Sequence, residues 1–426
     1  MSEKGSWPAF RRTAGYSHET VLLIGASYAA PALAVLTGPL VARSLGTVGR
    51  GQFALVAVWS EVGTNLFRLG LPDAAAFLRR SPAHPRNIWV AVRSIAGYAT
   101  PAAMIMGLFA CWAAVGDVGL ALAVATGVLV AWSPLVDTLA GVRLRFLVSD
   151  GRLRELRLNA LIQPMVTASM TTAFGIFGLL SVNTAVLSLV AGFLLSHGYS
   201  YYVTSEMIRA EAPCLSARER ISLLKRTMSY GARTVPGSLA EMVNLRLDQL
   251  ILPALMGVGE LGVYAVAVSV SSLIPRLGFA LAQSEYSAIA EAGENMCTRA
   301  SQAVRRALGA SVMLAVLCAA AVPALLPALY GSAFRSATAP CLILILGGVA
   351  TGSNLVAANV GNLMGRPGIS AISQLVGLVV TTSLIVALVS SCGLIGAASV
   401  SCLAYWMRYL VTLRLLGRVG VSLRRR

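Results

Sequence analysis

The strongest constraint on this chain is a series of twelve apolar stretches. They lie near residues 20–42, 51–73, 88–115, 118–140, 157–180, 183–206, 229–256, 261–285, 303–330, 337–361, 368–391 and 393–415. Each is long enough to span ~30 Å of hydrocarbon as a helix. With 57% hydrophobic and 12% charged residues and a mean hydropathy of +0.75, the chain is excluded from the water-soluble class. The expected fold is all-α: a polytopic membrane protein whose twelve transmembrane helices form two six-helix bundles.

A net charge of +17 would suit a nucleic-acid binder, but its placement does not. With the N-terminus inside, the inner loops and tails hold 26 of the Lys and Arg residues, Arg143 and Arg408 among them. The outer loops hold three, Arg43, Arg50 and Arg335, and five more fall inside spans: Arg68, Arg93, Arg233, Arg246 and Arg276. This asymmetry follows the positive-inside rule. It predicts both termini in the cytoplasm of a bacterial or archaeal cell, with basic loops touching anionic membrane lipid and no nucleic-acid partner. The expected order is a cytoplasmic tail over 1–19, a first bundle over 20–206, a cytoplasmic linker over 207–228, a second bundle over 229–415 and a basic tail over 416–426. The first span reads as uncleaved.

Two stretches echo each other across the halves. Leu45–Leu71 and Leu255–Leu281 both open on a glycine-rich turn, with Gly46 matching Gly257, Gly51 matching Gly262, Phe53 matching Tyr264 and Ala54 matching Ala265. Each then reaches an Arg-Leu-Gly triplet, at 68–70 and 276–278, with a three-residue slip. At about 100° per residue, Ser269, Ser272, Arg276, Gln283 and Ser287 share one face, as do Glu61, Thr64, Asn65 and Arg68 in the first copy. Similar segments in two halves point to a transporter built from repeats, with its site between them. The plainer alternative is ordinary helix punctuation.

Other spans carry polar residues that hydrocarbon does not tolerate cheaply. The seventh places Thr234, Ser238, Glu241, Asn244 and Asp248 on one face and is expected to line a cavity. Arg246 cannot pair with Asp248 along the helix, because residues two apart do not face each other. Asp137 and Pro134 sit in the fourth span, Pro31 and Pro39 in the first, and Arg93 just inside the third, where it can snorkel to the headgroups. Asn354, Asn359 and Asn362 in the tenth can bridge helices. The seven cysteines are scattered singly and form neither a disulfide framework nor a metal site. His18, His84 and His197 read as isolated loop or interface residues.

The two lobes, the GVGELGVYAVA turn after a charged seventh span, LYGSAF at 329–334 and GLIGAASVS at 393–401 together resemble the polysaccharide flippases. These belong to the superfamily that includes multidrug-and-toxin extrusion transporters and lipid II flippases. The resemblance covers nearly the whole chain. It implies a V-shaped pair of bundles, acting as a monomer without enzyme chemistry or cofactor. Such a protein moves an oligosaccharide on a polyprenyl diphosphate from the inner to the outer leaflet for cell-surface polysaccharide biosynthesis. Lipid II flippases usually have two further spans, for which this chain has no room, and drug exporters are usually less basic in the cavity.

The residues suit an anionic lipid-linked oligosaccharide independently, since guanidinium offers a diphosphate bidentate hydrogen bonds. Arg68 lies ~26 Å along the helix from Gly51, and Arg276 ~21 Å from Gly262, both towards the cytoplasm. Arg93 and Arg233 stand on that side, and Arg246 nearer the middle. With Asn65 and Ser272 these form the expected substrate-binding set. The alternative is a drug or metabolite antiporter of the same fold, with Glu241, Asp248, Glu61 and Asp137 binding protons or sodium. A membrane-embedded glycosyl- or acyltransferase lacks the needed residue constellation.

Overall fold

The computed structural model describes residues 18–79, 84–209, 215–290, 292, 295–366 and 368–421. The tail over 1–17, Arg80, Glu211, Pro213 and residues 422–426 lie outside the described residues, as do the side chains of Pro31, Gln283 and Ser287. The described chain is helical from end to end. Its helices are α1 (His18–Phe67), α2 (Leu71–Arg79), α3 (Pro85–Val118), α4 (Leu120–Trp132), α5 (Asp137–Ser149), α6 (Leu153–Ile176), α7 (Val182–Arg209), α8 (Ala217–Met256), α9 (Val258–Ser271), α10 (Leu273–Ala290), α11 (Met296–Tyr330), α12 (Thr338–Leu363) and α13 (Gly368–Gly417). A 3-10 turn, Ser332–Ala337, leads into α12.

Twelve passes follow from how these helices break. α1 and α13 are 50 residues each, twice what a bilayer needs, and each is divided by a glycine: Gly46 (φ 68°, ψ −173°) and Gly393 (φ 58°, ψ −135°). α4 and α5 form one pass bent by 47°, and α9 with α10 forms another, broken at Ser272. Among the described residues, seven helical stretches are long and apolar enough to cross a membrane, or eight with the bent pair. α6 and α8 fall short through their Asn, Gln, Ser, Thr and charged residues.

The repeat seen in the sequence is a repeat of backbone geometry. Gly257, the match of Gly46, takes φ 89° and ψ 163°, so both halves turn sharply on a glycine in a region that L side chains avoid. The hairpins α3–α4 and α11–α12 turn alike at Gly119 and Gly331. These turns define one end of the molecule, here the glycine end; the arginine-rich loops define the other.

The lobes meet along α1, α8 and α9. At the glycine end α1 crosses α9 backbone to backbone. A Cβ on Gly51 would collide with the Val258 carbonyl oxygen, and one on Gly262 with that of Thr47. Midway, Val58 and Val62 of α1 pack on Met242 of α8. At the arginine end Leu223 of α8 joins Leu71, Leu78 and Ile88 of the first lobe, and Phe77 stacks on Tyr230 at 4.6 Å. A Cβ on Gly231 would strike the Leu69 carbonyl. The seam is therefore shut at both ends.

Several boundaries and placements differ from the sequence reading. The second pass was expected to reach residue 73; α1 instead ends at Phe67, the chain turns through Leu69 (φ 48°) and Gly70 (φ 64°), and α2 starts anew. Much of the stretch expected as a linker is helix, with α7 reaching Arg209 and α8 starting at Ala217. Ser216 caps α8, and its hydroxyl and backbone N–H hold the Glu219 carboxyl below the usual range. Arg143 and Arg408, assigned to the inner loops and tail, are buried. Arg143 lies 4.1 Å from the Trp89 ring and 4.4 Å from that of Tyr201, with Nη1 2.6 Å from Thr204 Oγ1. Arg408 lies in the second lobe beside Gly377, where a larger residue would strike its side chain. Arg143 keeps its charge inside by surrounding it with rings and oxygens, whereas Arg408 has the Tyr405 ring at 5.9 Å and its Nε and Nη1 are without a hydrogen-bond partner.

Gly51→Ala should lower the midpoint of thermal unfolding by the equivalent of about 1–3 kcal/mol, the cost of overpacking. Gly97→Ala, with open space at its Cβ, should leave it unchanged.

Candidate functional site

The polar stripe of α1 lies at the seam, and its members turn different ways. Glu61 accepts an ion pair from Arg246 of α8, Nη2 to Oε2 at 2.6 Å. This is the one ion pair between the lobes among the described residues. Thr64, one turn on, donates to Asp137 Oδ2 at 2.7 Å. Asn65 donates to the Glu61 carbonyl at 2.9 Å. Asn65 and Arg68 then line a cleft of about 90 Å³ with Leu69, Gly70, Pro72, Asp73 and Arg145 of the first lobe and Val235 and Ser238 of α8. This volume holds a few waters, so a head group enters only when the lobes part.

Arg246 and Asp248 do point apart, as their spacing requires. Asp248 is 3% exposed and faces the interior of the second lobe. Its Oδ2 accepts from Tyr264 Oη at 2.6 Å and Ser401 Oγ at 2.9 Å, and its Oδ1 from the Gln249 N–H at 2.8 Å. Asn244 follows it inward, donating to the Gln374 carbonyl at 3.0 Å and accepting from Thr381 Oγ1 at 3.3 Å. The face expected to line a cavity is thus divided. Ser238 reaches the cleft, Glu241 is half-buried in the electrostatic field of Arg408, and Asn244 and Asp248 are held within the lobe. Pro236 and Pro253 lie within α8, one on either side of these residues.

Asp137 also lies inside its lobe. Its Oδ1 is 2.7 Å from His197 Nε2 on α7. The sequence reading left His197 isolated, and a separation of sixty positions carries no spacing signal that would have joined the two. Arg93, Arg233 and Arg276 are exposed and make no ion pair among the described residues; none of them lines the cleft. Ser272 is half-buried and donates to the Ser269 carbonyl at 2.7 Å, at the break between α9 and α10. The two Arg-Leu-Gly triplets are therefore not equivalent. Gly70 turns the chain at the seam, whereas Gly278 stays helical and packs on the backbone of Gly352 within the second lobe.

The family model described as "Polysaccharide biosynthesis protein" matches residues 18–292. No curated protein matches the chain. Among solved structures it is similar to the lipid II flippase MurJ in an inward closed conformation, with a TM-score of 0.71 and 11% identity over 93% of this chain and 87% of that one. It is also similar to the MATE multidrug transporter DinF-BH, with a TM-score of 0.66 and 12% identity over 97% and 98% of the two chains. A third is a MOP superfamily transporter from Pyrococcus furiosus, described as having a binding pocket of reverse polarity, with a TM-score of 0.61 and 14% identity over 96% of each chain. At these identities the shared property is the fold.

Asp248→Asn replaces an acceptor by a donor facing two hydroxyls. It should cost roughly 1–3 kcal/mol in stability, whereas Glu61→Gln, in a pair open to solvent, should cost about 1 kcal/mol or less. Denaturation of the purified variants distinguishes the two.

Proposed function

Because the chain belongs to the polysaccharide biosynthesis protein family, we propose that it carries an oligosaccharide on a polyprenyl diphosphate across the membrane. The arginine end faces the cytoplasm, as the positive-inside rule requires. The observation that carries the reading is the inter-lobe cleft, where Arg68 and Asn65 stand on one wall and Ser238 on the other, with Arg246 further along the seam. A diphosphate leaving water needs fixed cations, and a guanidinium at the mouth of a cleft between two moving lobes supplies one. The polyprenyl chain stays in lipid while the head group travels in the seam.

Glu61 holds Arg246 until a phosphate replaces it. One anion exchanges for another, so Arg246 is never left unpaired as the lobes separate. Arg93, Arg233 and Arg276 are exposed cations outside the cleft; they are the reserve for drawing the head group in once the lobes part. Polar groups along α1 and α8 solvate the sugars.

A second reading, a proton- or sodium-coupled antiporter of drugs or metabolites, is favoured by one observation. The Asp137–His197 pair and Asp248 are carboxylates buried inside the lobes, where a bound ion can bias the conformation. Glu241 and Glu61 complete that candidate set. Coupling of this kind is compatible with a flippase, so the cargo decides between the readings.

Arg68→Ala and Arg276→Ala should each cause lipid-linked oligosaccharide to accumulate in the inner leaflet of cells at normal protein level. Loss of one charge-assisted bond lowers affinity about ten- to a hundredfold. Lys at either position should restore part of the transport, because it keeps the charge without the fork. Normal export by both alanine variants would remove the diphosphate role.

A further inference from the structure

Arg50 was assigned to an outer loop by its sequence position. In the fold it is half-buried at the glycine end of the seam. Its Nη2 reaches Ser269 Oγ of the second lobe at 3.3 Å, and its guanidinium lies 5.5 Å from the Phe53 ring. Its Nε is shielded from solvent and has no hydrogen-bond partner, and no carboxylate pairs with it among the described residues. Tyr330, which closes α11 on the other lobe, is within its electrostatic reach and 2% exposed. The Tyr330 hydroxyl is also shielded and unpartnered, and Gly38 leaves it room, since a Cβ there would lie 2.9 Å away.

A half-buried guanidinium whose Nε is shielded and which has no anion is unfavourable, and a hydroxyl shielded without a partner adds to the cost. The Arg50 Nε and the Tyr330 hydroxyl, unpartnered on opposite lobes at one end of the seam, fit a site that an anion visits. Arg50 also precedes Arg68 by eighteen residues, or about five turns of α1, so the two share a face and stand ~27 Å apart along it. Glu61, which pairs with Arg246, lies on that same face between them.

We infer that Arg50 and Tyr330 form a second phosphate-binding station at the outer end of the seam, taken up after the head group has left Arg68. The inference rests on the flippase reading for its cargo, but the site itself is anion chemistry. When the lobes part at this end, Ser269 and Tyr330 draw back together with the second lobe, which frees the guanidinium fork and opens a gap between it and the Tyr330 hydroxyl that phosphate oxygens can bridge. The station gives Tyr330 of LYGSAF a task. The same chemistry would accept the diphosphate of the cargo or the phosphate of an outer-leaflet phospholipid.

Two measurements test it. In proteoliposomes of phosphatidylcholine, with a fluorescent polyprenyl diphosphate as probe, Arg50→Ala should slow translocation about tenfold. Arg50→Lys and Tyr330→Phe should slow it less, and Arg335→Ala, an exposed arginine at the same end, should leave it unchanged. Tyr330→Phe keeps the ring and its packing, so its effect does not depend on a folding defect. If slowing appears only when phosphatidylglycerol is added, the ligand is the phospholipid headgroup; if it is present without it, the ligand is the cargo. Separately, inorganic diphosphate is titrated into purified Arg68→Ala protein and into the Arg68→Ala, Arg50→Ala double variant. The double variant should bind about tenfold more weakly. Equal binding by the two proteins overturns the station, as do wild-type rates in both Arg50→Ala and Tyr330→Phe. A wild-type protein that moves no polyprenyl diphosphate, yet loses diphosphate binding with Arg50, keeps the station and removes the flippase reading.

Discussion

The structure depends on a contact between two backbones. α1 and α9 cross where Gly51 and Gly262 leave no side chain between them, close enough that a methyl group on either would collide with a carbonyl of the other helix. Small residues at such a crossing allow close van der Waals packing, which is what holds helices together where lipid removes the hydrophobic drive. Because the two glycines occupy matching places in the repeat, the crossing also relates the lobes as two like halves. It fixes where the seam begins, and with it which faces of α1 and α8 oppose each other.

Along that seam the charges follow from what hydrocarbon will not accept. Glu61 and Arg246 neutralise each other between the lobes, while Asp137 and Asp248 are satisfied within them by His197 and Thr64 and by Tyr264 and Ser401. The inter-lobe pair is the exchangeable one. It is partly open to solvent and its partners belong to different lobes, so in the proposed transport an incoming phosphate replaces the carboxylate at little net cost. The buried networks, by contrast, tie helices together within each lobe.

Much of this was legible in the sequence because it is local. Glycines that turn a hairpin depend on neighbours along the chain, which is why the Gly46–Gly257 match survives in the fold; the Glu61–Arg68 stripe lies at the seam but is shared between the lobes, with Glu61 on Arg246 and Thr64 on Asp137. The opposed directions of Arg246 and Asp248 followed from their two-residue spacing. What stayed hidden is pairing over distance. Nothing in the residues around His197 marks Asp137 as its partner, and Arg143 and Arg408 read as loop charges because a helix end cannot be told from a buried turn by hydropathy. The Arg-Leu-Gly triplets misled for the opposite reason: the same letters, slipped by three residues, turn the chain at Gly70 and continue a helix at Gly278.

The central claim is that the seam carries an anionic lipid head group, and the charge of the cargo tests it most directly. Purified protein in liposomes would be given, in parallel, a fluorescent polyprenyl diphosphate oligosaccharide, its uncharged polyprenol analogue and a cationic rhodamine dye. Transbilayer movement of each would be read by quenching from outside. The account predicts movement of the diphosphate alone, weakened by high salt as the seam cations are screened. Movement of the cationic dye without the diphosphate would contradict it.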